Sequence, residues 1–188
     1  MVLAYRAFKL DPNGLLRSPL VDYVWTREAN QATCRVDLPN LNHTRYRPKG
    51  SEPCPDAPNP TCACGLYAYP FIQWEARSFM TQENVIGLVS AYGRLMEHTD
   101  GTARSEHMTI LAIMMFAEWA SEDDALDHFQ STGYATPVKV PRSLLERAAG
   151  MLGVPWGVFT TKAEGVSFLQ NEAGKYDEET LAHHILIS

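Results

Sequence analysis

Four cysteines, Cys34, Cys54, Cys62 and Cys64, carry the most chemistry in this 188-residue sequence. Thiolates are soft, anionic ligands, and four of them can close a tetrahedral site around a zinc ion. A site closed in this way is structural, because the metal keeps no open position for a substrate or a reacting water. The cysteines flank a segment studded with Pro39, Pro48, Pro53, Pro55, Pro58 and Pro60. Proline fixes φ and removes a backbone donor, so this segment can hold neither a helix nor a central strand. A loop of that length needs an anchor, and a bound metal supplies one. His43 lies in the same loop and can replace one cysteine as a ligand. The set contains a Cys-x-Cys but no Cys-x-x-Cys, so small buried thiols without metal are the competing reading. A catalytic zinc would need an open position and a neighbouring acid or base; Glu52 and Asp56 are close in sequence.

A second constellation is polar. Glu97-His98 and Glu106-His107 flank an Asp100-Gly101 turn signal, with Arg94 and Arg104 nearby. Strand pairing about that turn would gather the six side chains at one hairpin end. An acid–histidine pair can perform general acid–base work, and it can equally be a cross-strand salt bridge. With the two arginines added, an anionic group or a partner's carboxylate is the simplest ligand for Arg94, Glu97, His98, Arg104, Glu106 and His107. His183-His184 are adjacent, so on a helix they face different directions and do not make a ligand pair. The sequence holds no Gly-rich phosphate loop, nucleophile elbow or His-Glu-x-x-His helix.

The elements that must position these residues follow from periodicity. Residues 2–10 alternate as a strand, and Asp11-Pro12-Asn13-Gly14 is a turn. Residues 15–25 read as a second strand or two short pieces. Residues 84–115 read as a long hairpin closed by Asp100-Gly101. Residues 71–79 suit a short helix or an irregular turn. Beyond residue 115 the period becomes helical. Ser121 with three following acids suits a helix start, with Leu126 and Phe129 buried. Pro141 to Leu152 reads as a helix with Leu144, Leu145, Ala148 and Leu152 on one face and Gly153 at its end. Residues 160–171 and 177–187 are further helical stretches.

The expected fold is therefore α+β: an antiparallel sheet from residues 2–25 and 84–115, a metal-pinned Pro-rich loop, and a helical C-terminal third. Residues 1–118 form the β-rich domain with its Cys-rich loop (34–64), and residues 119–188 pack on it or form a small appendage.

Composition narrows the functional classes. An apolar share of 45% and a charged share of 20% are ordinary for a globular domain. No apolar run approaches the roughly 20 residues of a membrane-spanning helix. The N-terminus lacks the pattern of a signal peptide, so a cytoplasmic location with reduced thiols is expected. Residues 1–94 carry ten Lys/Arg and eight Asp/Glu, while residues 95–188 carry six and fourteen. The acidic second half disfavours non-specific contact with nucleic-acid phosphates and leaves a protein partner open. Residues 141–171 loosely suggest a helix-turn-helix, a route to DNA binding, although residues 156–161 lack basic character.

Two stretches are also familiar. Cys62-Ala63-Cys64-Gly65-Leu66-Tyr67-Ala68 resembles a Cys-x-Cys-Gly-Ile-Tyr-Ala signature. Tyr92-Gly93-Arg94-Leu95-Met96-Glu97-His98, followed by Gly101 and Arg104-Ser105-Glu106, resembles a downstream Trp-Gly-Arg-Val-x-Glu-His…Gly-x-Arg-Ala-Glu pattern. Both occur together in small proteins of actinobacteria and their bacteriophages, and Trp25 followed by Cys34 is similar to that family's upstream Trp…Ala-x-Cys. The resemblance covers about residues 3–110. Where the family often has a histidine before the Cys-x-Cys, this chain has Cys54 beside Pro55, which implies four thiolates. The resemblance implies origin and fold, with no reaction to carry over. The expectation is a non-enzymatic interaction protein, phage-encoded, that binds a host or regulatory protein and holds a structural zinc. A small-molecule site or enzyme at the hairpin end and a DNA-binding regulator through residues 141–171 are the alternatives.

Overall fold

The computed structural model describes residues 1–18, 23–34, 52–60, 62, 64–70, 85–98, 101–121 and 140–176. Expectations for residues 71–79, for the helix after Ser121, for residues 177–187, and for His43, His183 and His184 fall outside the described residues.

Strand β1 (Val2–Leu10) pairs antiparallel with β5 (Val85–Glu97), and β5 pairs antiparallel with β6 (Ala103–Phe116). This is the expected hairpin, closed by hydrogen bonds from His98 N–H to Thr102 O (2.8 Å) and from Gly101 N–H to His98 O (3.0 Å). Val85 to Ala91 are all buried, as suits a central strand covered on both faces. The Asp11 turn leads into β2 (Leu16–Arg17), which pairs with the end of β1, and Arg17 bridges to Val24. Residues 15–25 are thus two short pieces.

The outer edge of β6 is tiled by three short strands. They are β3 (Asn30–Gln31), β4 (Leu66–Ala68) and β9 (Trp156–Phe159). β3 and β4 run antiparallel to β6, but β9 runs parallel to it, with Ile113 opposite Trp156 and Phe116 opposite Phe159. The strands from residues 2–25 and 84–115 pair antiparallel as expected, and the added parallel β9 makes the sheet as a whole mixed. Past β4, Tyr69 exchanges backbone hydrogen bonds with Tyr5 at 2.7 and 2.8 Å, so the path β1–β5–β6–β4 returns to β1.

After β6 come a short 3-10 turn (Ala117–Trp119) and β7 (Ala120–Ser121), which pairs parallel with β8 (Val140–Pro141). Ser121, expected as a helix N-cap, lies in β7. Helix α1 (Arg142–Leu152) buries Leu144, Leu145, Ala148, Ala149 and Leu152 and ends at Gly153. Helix α2 (Lys162–Ala173) starts at a capping box in which Thr161 Oγ1 accepts from Glu164 N–H and Glu164 accepts from Thr161 N–H.

The helices cover opposite faces of the sheet. α1 joins Phe8, Trp25, Val85, Ile113, Met115 and the cysteines in one apolar cluster. α2 sets Leu169 against Ile86, Leu88, Met114 and Phe116 in the other. Residues 141–171 are thus helix, sheet strand, helix, and not the paired helices of a helix-turn-helix. Among the described residues no helix is long and apolar enough to cross a membrane.

Candidate metal centre

The sheet explains why distant cysteines meet. β3 pairs Asn30 with Met108 and Gln31 with His107, and Ala32 N–H donates to Glu106 O at 2.7 Å. β4 continues the same line, with Leu66 opposite Ser105 and Ala68 opposite Ala103. β3 and β4 are two halves of one interrupted edge strand. The chain leaves this edge after Ala32, opposite Glu106, and rejoins it at Leu66, opposite Ser105, so the two ends of the Cys-rich segment meet at neighbouring positions of β6. Cys34 stands at the exit, and Cys62 and Cys64 stand at the return.

Cys54 completes the group from within the loop. The four Sγ atoms lie within 4.8 Å of one another. Cys34 and Cys62 Sγ are 3.7 Å apart, and none of the four cysteines is in a disulfide. A tetrahedron with zinc–sulfur bonds of about 2.3 Å has edges of about 3.8 Å, so the spacing fits a tetrathiolate centre. It exceeds the roughly 2.05 Å of a disulfide. Cys54, Cys62 and Cys64 are buried and Cys34 is half-buried. The donor set can bind a metal ion such as zinc.

Burial pushes the Cys54 thiol up to about 11 and the Cys64 thiol up to about 12, and the neighbouring Cys62 adds to both. For Cys62 burial acts in the same direction but is outweighed. The Cys64 N–H and the surrounding thiols donate to its sulfur and hold its pKa below the ordinary value. Without metal, Cys62 is the thiol whose ionised form its surroundings favour, while burial works against ionisation of Cys54 and Cys64.

Two residues shape the return to β4. Gly65 has φ +132°, and a Cβ there would stand 3.0 Å from Pro58 Cβ and 3.1 Å from Arg104 Cβ. Only glycine takes that backbone shape readily and leaves that space. Arg104, 2% exposed, sends its guanidinium under the Cys-x-Cys. Its Nη1 donates to Cys62 O and, at 3.0 Å, to Cys64 O. Its Nε donates to His98 Nε2 at 2.6 Å, and its guanidinium lies 5.7 Å from the Tyr67 ring centroid.

The six polar residues expected to share the hairpin end divide into groups. Arg104 turns inward with His98. Glu97 lies opposite Ala103 and is exposed. Glu106 faces a bulge between Tyr92 and Leu95, where Gly93 has φ +75° and Arg94 N–H donates to Glu106 Oε2 at 3.2 Å. His107 stacks on Tyr92 at 5.3 Å and lies 3.6 Å from the Glu106 carboxylate. Arg94 reaches the loop through an exposed ion pair with Asp56, 3.6 Å long. Glu97-His98 and Glu106-His107 are therefore not cross-strand partners: Glu97 lies opposite Ala103 next to the turn, while His107 lies opposite Tyr92 farther along the hairpin. Asp56 serves this surface contact, and Glu52 is exposed.

The inward course of Arg104 has no signature in residue spacing. Its one sequence signal is alternation with Met108 and Ile110 on β6, which marks residue 104 as facing the cysteine side.

Compared with protein-family models, curated proteins and solved structures, the chain matches none.

Proposed function

We propose that Cys34, Cys54, Cys62 and Cys64 hold one zinc ion as a structural tetrathiolate, and that the protein so assembled is a non-enzymatic binding protein for a protein partner. The observation that carries the metal reading is the convergence of four sulfur atoms within 4.8 Å at the neck of the loop. Four protein thiolates leave no open coordination position, which favours a structural role over Lewis-acid chemistry. The zinc ion would supply the link that the Pro-rich loop lacks, tying residues 34, 54, 62 and 64 to the edge of β6. His43 is not needed to complete four ligands.

The partner reading is supported by the acidic second half of the sequence and by the resemblance to small actinobacterial and phage proteins, for which a host or regulatory protein in the cytoplasm is the natural target. Four cysteines without a disulfide suit a reducing compartment.

Elemental analysis of freshly purified protein, with a thiol titration before and after denaturation, tests the centre. One zinc per chain and four thiols that react only after unfolding or chelation are expected. Iron in place of zinc would keep the tetrathiolate and overturn the zinc assignment, whereas no stoichiometric metal would sink the centre altogether. For the partner, a host-lysate capture comparing zinc-loaded wild type with Cys62→Ser should return a protein held by the loaded form alone. Turnover of a small molecule by the pure protein, with no partner captured, would reverse this reading.

A further inference from the structure

We infer that Arg104 is the built-in counter-charge and clamp of the metal centre, a positioning residue that sets how tightly the tetrathiolate holds its ion. The inference rests on the metal reading above and deepens it.

A guanidinium is always charged, and burying it without an anion is strongly unfavourable. Arg104 is 2% exposed, and among the described residues no carboxylate pairs with it. Its partners are two carbonyls, the His98 ring nitrogen, the Met96 sulfur at 3.9 Å and the Tyr67 face. Those contacts give each guanidinium nitrogen an acceptor but include no anion. The cysteine cluster, which can be anionic, adjoins Arg104, which already grips the Cys62 and Cys64 carbonyls. Four thiolates around a divalent ion carry a net charge of −2. A buried cation beside that centre stabilises it, and the centre in turn supplies the anion that Arg104 lacks.

The clamp also has a geometric consequence. With both carbonyls drawn toward Nη1, the turn between Cys62 and Cys64 is fixed, and the Cys64 N–H is free to donate to the Cys62 sulfur. The Asn59 N–H donates to the Cys64 sulfur in the same way. Donors and charge placed around ligating atoms typically change metal affinity by about 10–100-fold when removed.

The test uses the full chain with cobalt(II) as a spectroscopic probe and zinc(II) in competition with a chromophoric chelator. Wild type should take up one cobalt(II) with tetrahedral thiolate bands; failure at that step sinks the metal reading itself, before Arg104 is in question. Arg104→Met and Arg104→Gln should bind zinc about 10–100-fold more weakly. Their sulfur-to-cobalt charge-transfer band should also move to lower energy, because removing a nearby cation raises the filled sulfur orbitals. A residue needed only for folding would not move that band. Arg104→Lys keeps the charge and loses the fork, so it should hold the band in place with an intermediate affinity. Unchanged affinity in the neutral variants, or weaker binding with an unmoved band, would overturn the inference. Should the neutral variants not fold, Arg104→Lys decides: wild-type affinity or a displaced band overturns it, and weaker binding with the band in place supports it.

Discussion

The sulfur atoms of Cys34 and Cys62 lie 3.7 Å apart although 27 residues separate them in the sequence. The distance is a tetrahedral edge and far exceeds a covalent bond. It is set by β6, which receives β3 and β4 end to end and so brings the two ends of the loop together. The same sheet edge thus closes the loop entropically before any metal binds, and the ion has only to join groups already neighbouring.

The protonation of those groups gives the first prediction. Burial raises Cys54 to about 11 and Cys64 to about 12, so both carry protons at neutral pH without metal. A metal ion ligates thiolates, so binding must release those protons. Zinc titration by calorimetry in buffers of different ionisation enthalpy should show at least two protons released per ion at pH 7. Apparent affinity should rise with pH between about 6 and 8, since higher pH favours the proton-free form. Binding without proton release would mean that Cys54 and Cys64 are not ligands.

Gly65→Ala gives the second. The new Cβ would meet the Cβ atoms of Pro58 at 3.0 Å and Arg104 at 3.1 Å, at φ +132°. Those are stiff neighbours, and the conformation is one that side-chain-bearing residues rarely adopt. A loss of about 1–3 kcal/mol is expected in urea unfolding. Zinc affinity should fall as well, because the shift displaces Cys64. Wild-type values for both would show that the backbone at Gly65 relaxes without disturbing the return to β4.

How far the sequence discloses this arrangement depends on whether each signal is local. β1, the hairpin and the Leu144/Leu145/Ala148/Leu152 face of α1 are legible because alternation and helical spacing lie within single segments. β9 is not legible, since Trp156-Gly157-Val158-Phe159 is too short to show a period and its parallel pairing with Ile113–Phe116 is non-local. The cysteines are legible as a group by type, but the interrupted edge strand that gathers them is not. Arg104 reads as one more polar residue near a turn. Its inward course under the Cys-x-Cys depends on the carbonyls of Cys62 and Cys64, which are distant in sequence.

Leu169→Ala tests the covering of the sheet by α2. Leu169 is fully buried against the Ile86, Leu88, Met114 and Phe116 face. α2 otherwise buries only Gly165 and Glu172, so this one side chain carries much of its apolar contact. Truncation should cost about 2–5 kcal/mol by urea unfolding, with zinc stoichiometry unchanged because the cysteines lie on the opposite face. A cost below about 1 kcal/mol would show that α2 contributes little to the fold.

Asp11 carries the last prediction, which concerns acid. Its carboxylate accepts from Asn13 N–H (2.9 Å), Leu15 N–H (2.9 Å) and Arg17 Nε (2.8 Å), and so builds the turn between β1 and β2. Burial alone would raise its pKa. The Leu15 and Asn13 amides and the Arg17 guanidinium outweigh that and hold it below the ordinary 3.8. A depressed folded-state pKa stabilises the fold above the unfolded value, and that stabilisation is lost as pH falls through the folded value. Asp11→Asn keeps one acceptor oxygen and removes the charge, so it should cost about 1–2 kcal/mol at pH 7. The gap between wild type and variant should close as pH falls below about 4. Comparing the two at each pH cancels the acid-driven loss of metal, which both proteins share. A gap that stays constant from pH 7 to pH 2.5 would show that neutral hydrogen bonding alone builds the turn, with the ionised carboxylate contributing nothing.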